Sequence, residues 1–331
     1  MTKARHDHTH DSTPGKPGKP GKTAEAGNAA DAGKAAKAGK AGKSGAAAAT
    51  PVARGARTGP VVAACDLDRT LIYSRAAAKL GLPADARPPV LESVEIHEGK
   101  PISFLTPDAS RMIAELGRAA LLVPTTTRTR KQYQRIHLPG PAPAYAICAN
   151  GGHILVDGVT DEDWHALIRK RLAEESAPLA EVVARLEAAT DPEWTRKLRV
   201  AEDLFTYLVL ERDKVPAGLV DELTGWAAER GWGVSLQGRK LYFVPDALTK
   251  GAAVEEIRRR SGAGTVLAAG DSLLDIELLR AADLGIRPGH GELADLDWHA
   301  PHVVATGTAG VRAGEEILRW LLDRVRVAQA A

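Results

Sequence analysis

From position 61 onward, short runs of small and apolar residues recur along the chain: VVAAC (61–65), AALLVP (119–124), YAICA (145–149) and TVLAAG (265–270). Runs of this length, apolar on every position instead of alternate ones, read as strands buried on both faces, as in parallel sheets covered by helices. Helical periods lie between them. Residues 107–118 (PDASRMIAELGR) predict a helix with Pro in its first turn and Asp108 near its positive end. Thr129–Ile136 reads as the next helix and Arg75–Gly81 as a short one. Thr249, Lys250 and Gly251 open AAVEEIRRRSG, and IELLRAA and residues 313–328 predict two more helices. LGIRP and HVVAT read as further short strands. Strands alternating with helices in this order imply βαβ units, hence an α/β fold with a Rossmann-like, doubly wound parallel sheet.

The pattern changes near His153. HILVDG is a possible strand, Glu162–Glu175 and Leu179–Ala189 are amphipathic, and LRVAEDLFTYLVLER suggests strands with alternating faces. Pro216–Gly231 predicts a helix, and WGVSLQ with KLYFVP, joined by Gly238-Arg239, a hairpin. Helices beside hairpins make an α+β unit, so residues 153–245 read as a domain inserted between core segments 60–152 and 246–331. VEIHEG (94–99) predicts a short strand or hairpin after a Pro-rich loop.

Residues 1–59 have no such pattern. Gly, Pro, Lys and Ala dominate, with no large apolar residue to bury, so the segment is expected to stay disordered. Residues 1–60 carry a net +7, and a whole-chain balance of +2 leaves −5 for residues 61–331. A basic tail on an acidic body argues against the body as a nucleic-acid binder, and confines any nucleic-acid contact to the tail. The alternating His6, His8 and His10 read as incidental polar residues. The two cysteines, Cys65 and Cys148, fall in separate buried strands and suit a reducing cytoplasm. No apolar run reaches about 18 residues, so no membrane span is expected.

The chemistry begins at the end of the first strand. Asp66 and Asp68 stand two residues apart in DLDRT (66–70), on the same side of an extended segment. Open α/β sheets place their sites at this rim, beyond the carboxyl ends of the strands. Two carboxylates about 4 Å apart repel by roughly 4 kcal/mol at an effective dielectric of 20, and a divalent cation is the usual remedy. Three other features follow or flank separate strands: the Thr125–Thr127 run with Arg128, Lys250 at a helix start, and Asp271 with Asp275 in GDSLLD. Lys250 is unfavourably placed against the helix dipole unless it faces an anion.

In order and type these segments resemble the haloacid dehalogenase superfamily of aspartate-nucleophile phosphotransferases. DLDRT matches its D-x-D-x-T motif, the Thr run its strand-ending Thr or Ser, LTKG its helix-opening Lys, and GDSLLD its G-D-x-x-x-D. An insertion between the second and third motifs, preceded by ANGG, resembles the cap of the Cof-type branch, which includes sucrose-phosphate and mannosyl-3-phosphoglycerate phosphatases.

The resemblance implies a Mg²⁺-dependent phosphatase acting on a small phosphorylated metabolite such as a sugar phosphate. Asp66 would attack phosphorus, and Asp68 would protonate the leaving alcohol and then activate water. Proximity to Asp66 and a low-dielectric cap would raise the pKa of Asp68. Asp66, Asp68 (through its carbonyl), Asp271 and Asp275 would supply metal ligands, Asp275 as ligand or as anchor. Thr126 and Lys250 would orient the phosphoryl oxygens. Thr126 overlays the Thr of a T-G-R pattern, with Thr127 in place of Gly, while Thr125 directly ends the strand and is the alternative ligand. Thr127, Arg128, Asn150 and Gly151 are candidate substrate contacts. Arg69, in place of a common Gly, reads as a surface residue, with substrate contact or closure of the cap as the alternatives. Arg196, Lys197, Arg199, Gln237, Arg239 and Lys240 are cap candidates for anionic or hydroxylated groups, without a sign of which face inward. A phosphomutase, or a nucleic-acid-associated protein acting through its tail, are the alternatives. The chain has no G-x-x-x-x-G-K-[ST] and no H-E-x-x-H run.

Overall fold

The computed structural model describes residues 59–330, so the expected tail and its three histidines lie outside the described residues. β1 (Val61–Cys65) is buried throughout. A single 3₁₀ turn at Ala77–Lys79 replaces the helix expected over Arg75–Gly81. β2 (Glu92–His97) and β3 (Lys100–Leu105) form an antiparallel hairpin. α1 (Pro107–Ala119) starts at Thr106, whose hydroxyl accepts from the Ala109 N–H, and leads to β4 (Leu121–Pro124). α2 is one turn, Arg130–Tyr133, closed at its start by a Thr129–Gln132 capping box. The helix expected to Ile136 stops early because its chain turns into the loop HLPGPAPA, whose prolines cannot donate helical hydrogen bonds.

β5 (Tyr145–Cys148) was expected as a third strand of the parallel sheet. It joins β4 by one parallel bridge, Thr125 to Ile147, and otherwise pairs with β6 (His153–Val156), which pairs in turn with β7 (Val159–Thr160). The cause is the turn after Cys148. Ala149, Asn150 and Gly151 all have positive φ (50°, 57° and 103°) and send the chain straight back along β5. His153–Val156, read as the start of the insertion, therefore belongs to this small sheet.

α3 (Glu162–Glu175), α4 (Leu179–Ala189) and α5 (Leu219–Ala228) accompany an antiparallel sheet of β8 (Thr195–Ala201), β9 (Phe205–Leu210), β10 (Trp232–Gln237) and β11 (Lys240–Pro245), in the order β10-β11-β9-β8. The parallel pattern resumes with α6 (Lys250–Ser261), β12 (Thr265–Ala269), α7 (Ile276–Ala281), β13 (Leu284–Arg287), α8 (Glu292–Asp295), β14 (Val303–Ala305) and α9 (Gly310–Ala330). The central sheet runs β14-β13-β12-β1-β4, all parallel.

Alternation along β1 shows why helices cover both faces. Val62 and Ala64 pack with Val254 and Ile257 of α6 and Leu278 of α7. Val61, Ala63 and Cys65 pack on the other side, with Ile113 and Leu116 of α1 and Leu318 and Leu321 of α9. This is a Rossmann-like doubly wound core carrying an α+β cap. None of its described helices is long and apolar enough to cross a membrane.

Candidate active site

Because the strands are parallel, β1, β4 and β12 all end at one rim, and residues distant in sequence meet there. The Asp66 N–H donates to Ala269 O at 2.9 Å and the Thr125 N–H to Cys65 O at 2.8 Å, carrying the ladders one step past the strands. Asp66 is thereby fixed, with its carboxylate buried.

Lys250, at the first turn of α6, reaches the same point. Its Nζ donates to Asp66 Oδ1 at 2.7 Å and to Asp275 Oδ1 at 2.6 Å. Burial alone would favour the neutral amine, but the Asp275 and Asp66 carboxylates outweigh it and hold Lys250 protonated. The second Asp66 oxygen accepts from the Thr70 hydroxyl at 3.1 Å. Asp66 is pushed up to about 7, mainly by burial, with Lys250 opposing and Asp275 and Asp68 adding to the rise.

Asp275 uses both oxygens. Besides Lys250, it accepts from the Asp271 N–H (3.1 Å), the Ser272 N–H (2.9 Å) and the Ser272 hydroxyl (2.8 Å). It shapes the loop after β12 and anchors Lys250. Asp271 differs: among the described residues its carboxylate receives no hydrogen bond, and only Arg69 Nε approaches, at 3.4 Å. Burial and the charges of Asp66 and Asp275 push its carboxyl well above the ordinary range. Oxygens of Asp66, Asp271 and Asp275 all lie within 4.8 Å of one another. Clustered hard oxygen donors, one of them buried without a donor, fit a small divalent cation such as Mg²⁺.

Asp68 is about half exposed (51% of its side chain) and pairs with Arg128 instead of Lys250. Arg128 grips it in a fork and also donates from Nη1 to Glu95 Oε2 at 2.7 Å. Burial opposes ionisation of Asp68, but the charge and hydrogen bonds of Arg128 prevail and hold its carboxyl below the usual range. The rise expected from Asp66 and the cap is therefore reversed by a cation whose pairing the sequence did not announce.

The three threonines separate by their hydroxyls. Thr125 Oγ1 donates back to Val123 O at 3.0 Å, spending its proton inside the strand end. Thr126 is buried, its amide bound to Ile147 O, and its hydroxyl accepts from the Arg128 N–H at 3.1 Å, leaving its own proton for another acceptor. Thr127 Oγ1 stands 3.5 Å from Asn150 Oδ1.

Asn150 and Gly151 brace the rim from behind. Asn150 donates from Nδ2 to Leu248 O at 2.7 Å and from its amide to Thr126 O at 3.1 Å, tying the Thr126 loop to the segment that presents Lys250. A Cβ at Gly151 would lie 2.2 Å from Thr249 O.

Several contributors escaped the sequence reading. Glu95 is fully buried and accepts from Ser103 Oγ (2.6 Å), Arg128 and Arg135 Nε (3.1 Å). In the sequence it is one charge in VEIHEG, indistinguishable from a solvated strand. Glu292 accepts from the Leu273 N–H (3.0 Å) beside the Asp271 loop, and from Ser235 Oγ (2.7 Å) and the Leu236 N–H (3.0 Å) of the cap. Arg69 turns inward toward Asp271, its carbonyl bound to His290 Nε2 at 2.8 Å. Only the Arg in place of a common Gly within DLDRT could have hinted at that.

The fold finds counterparts among known proteins. No family model matches the chain. It is 26% identical over 267 residues to a phosphoglycolate phosphatase of Aeropyrum pernix, covering 80% of this chain and 95% of that protein. Its fold is that of the sucrose-phosphatase of Synechocystis sp. PCC6803, with TM-score 0.54, 16% identity, and coverage of 80% and 98% of the two chains. It is also that of a haloacid dehalogenase subclass IIB sugar phosphatase, with TM-score 0.50, 14% identity, and coverage of 80% and 98%. The fold is thus the one shared by these haloacid dehalogenase phosphatases. On this fold the D-x-D-x-T segment follows β1, the lysine opens α6 and the acidic loop follows β12.

Proposed function

We propose that this protein is a haloacid dehalogenase-type phosphatase that hydrolyses a small phosphorylated metabolite in two steps through an aspartyl-phosphate on Asp66, with Mg²⁺ bound beside it. The meeting of Asp66, Lys250, Asp271 and Asp275 at one rim carries this reading.

Asp66 is the nucleophile. One of its oxygens attacks phosphorus, the bond to the leaving oxygen breaks, and that oxygen takes a proton from Asp68. In the second step Asp68 takes a proton from water, the water oxygen attacks the aspartyl-phosphate, and Asp66 and inorganic phosphate are released. Lys250 and Thr126 supply positive charge and a hydroxyl proton to the phosphoryl oxygens, where charge stabilisation contributes most of the rate. Asp66 and Asp271, with Asp275 and the Asp68 carbonyl, would hold Mg²⁺. The ion offsets the charge of the carboxylates and of the phosphoryl group.

The ionised Asp68 suits the base half of this cycle. For the acid half, Arg128 must leave it. A bound phosphoryl group competes for the guanidinium, since Arg forks onto phosphate as readily as onto carboxylate. Candidate substrates include phosphoglycolate, after the archaeal relative, and sugar phosphates, after the structural neighbours.

Phosphate release from a panel of phosphorylated metabolites, with Mg²⁺ and with EDTA, tests the reading beside Asp66→Asn. Turnover should need metal and drop to background in the mutant. Wild-type turnover by Asp66→Asn would overturn it.

A further inference from the structure

The cap sheet has two unlike faces, and the strand register says which residues share each. Ser235, Tyr242, Tyr207 and Arg199 are opposite one another across the four strands, and the next row holds Gln237, Lys240, Val209 and Lys197. Directly opposed residues project to the same side, so these eight form one face. The other face carries Leu198, Leu208, Leu236, Leu241 and Phe243 and packs in the apolar core with Val182, Leu186, Leu223 and Ala227 of the cap helices.

The first face looks toward the catalytic rim. Ser235 is bound by Glu292. The charge of Lys240 acts on Asp68, and that of Asp68 acts on Tyr242. Tyr207 and Tyr242 pack with ring centroids 5.2 Å apart, and Lys240 Nζ stands 5.5 Å and 5.9 Å from the two rings. This side of the sheet contains three cations and no carboxylate. Among the described residues, Lys197, Arg199 and Lys240 have no acidic partner within 4.0 Å, whereas Arg196, in the bulge just before Lys197, is paired with Glu211 at 2.7 Å. Most of the Tyr242 side chain is buried.

The geometry points to an anionic leaving group: the alcohol released by this phosphatase carries a second negative group, recognised by Lys240 and Tyr242 with Arg199 and Lys197 beside them. This inference rests on the phosphatase reading and on the placement of Asp68. The atom that Asp68 protonates belongs to the leaving alcohol, so the part of the substrate just beyond it meets Lys240 and Tyr242. A neutral sugar would leave the three cations of this face without an acidic partner. A carboxylate or second phosphate supplies one, and charge-assisted hydrogen bonds are about twice as strong as neutral ones.

The test compares kcat/KM for phosphoglycolate (carboxylate), fructose 1,6-bisphosphate (phosphate) and propyl phosphate (neutral) in the wild type, Lys240→Met, Lys240→Arg and Arg239→Met. One or both anionic esters should exceed propyl phosphate at least tenfold, and the one preferred identifies the group. Lys240→Met should cut that ratio at least tenfold and Lys240→Arg should restore most of it. Arg239→Met, at the hairpin tip, should leave the ratio within twofold of wild type. Metal-dependent hydrolysis of all three esters with similar kcat/KM would overturn the inference alone, as would an unchanged ratio in Lys240→Met. No hydrolysis of any ester would remove the phosphatase reading and this inference with it.

Discussion

Arg128 and Asp68, 60 positions apart, are joined by two parallel hydrogen bonds, Nε to Oδ2 at 2.6 Å and Nη2 to Oδ1 at 2.7 Å. A planar guanidinium fits a carboxylate in this way and a lysine cannot. Removing it takes away the main influence that keeps Asp68 ionised, so the Asp68 pKa should rise. In Arg128→Ala the acidic limb of the kcat profile, which includes the step where Asp68 takes a proton from water, should move to higher pH. Arg128→Lys should fall between the two. A limb that stays in place would mean that Asp68 is not the titrating base.

Lys250 is the only cation hydrogen-bonded to either Asp66 or Asp275 among the described residues. Lys250→Met should abolish turnover and also destabilise the fold by about 3–5 kcal/mol, the usual cost of leaving buried charge unpaired. Adding Asp275→Asn to that variant should recover part of the loss, because a neutral amide needs no counter-charge. Urea unfolding of the single and double variants measures both numbers.

Metal and pH should act together on stability. Asp66 holds its proton more tightly in the folded protein, its pKa rising from an unfolded value near 3.9 to about 7, and Asp271 is raised as well. Their contribution in metal-free protein is full below the unfolded value and is lost as pH rises through about 7 for Asp66. Mg²⁺ should restore what the ionised cluster loses. At saturating metal the melting temperature should rise by roughly 5 °C at pH 8 and by less than about 2 °C at pH 5, relative to EDTA. Asp66→Asn should shrink that difference.

Glu292 holds the cap hairpin and the Asp271 loop with one carboxylate. Glu292→Ala should cost less than about 2 kcal/mol of global stability, since its partners can turn to water. Its larger effect should be on closure: faster amide exchange at Leu236 and Leu273 and a kcat/KM lowered about tenfold. Unchanged exchange at Leu236 would show that the cap is held by other contacts.

Gly151 sits at φ 103° against the carbonyl of Thr249, the residue before Lys250. Gly151→Ala meets both a forbidden backbone region and a 2.2 Å contact with main chain, which cannot swing aside. The variant should lose about 3 kcal/mol or more in urea unfolding and displace Lys250 enough to depress kcat.

Much of the architecture could be read from local pattern. α3, α4, β10 and β11 begin and end where their periodicity does, because each is specified by its own apolar stripe or its own turn. The carboxylates, Thr run and lysine were visible as residue types at strand ends, and parallel topology obliges such ends to share a rim. Their pairing was not visible. Whether Arg128 neutralises Asp68, Glu95 anchors Arg128, or Glu292 spans core and cap depends on side chains brought together from separate elements, and a buried ion pair has no local signature. The departure of β5 from the central sheet was set by three successive positive-φ residues, two of them not glycine, which composition does not reveal. The sequence by itself thus determined the elements and the inventory of reactive groups, since hydrophobic period and strand-end position are short-range properties. Only the tertiary structure decided which charge faces which, and with it the ionisation of each group and the side of the cap sheet that gathers three cations, since those follow from register and from distances across the fold.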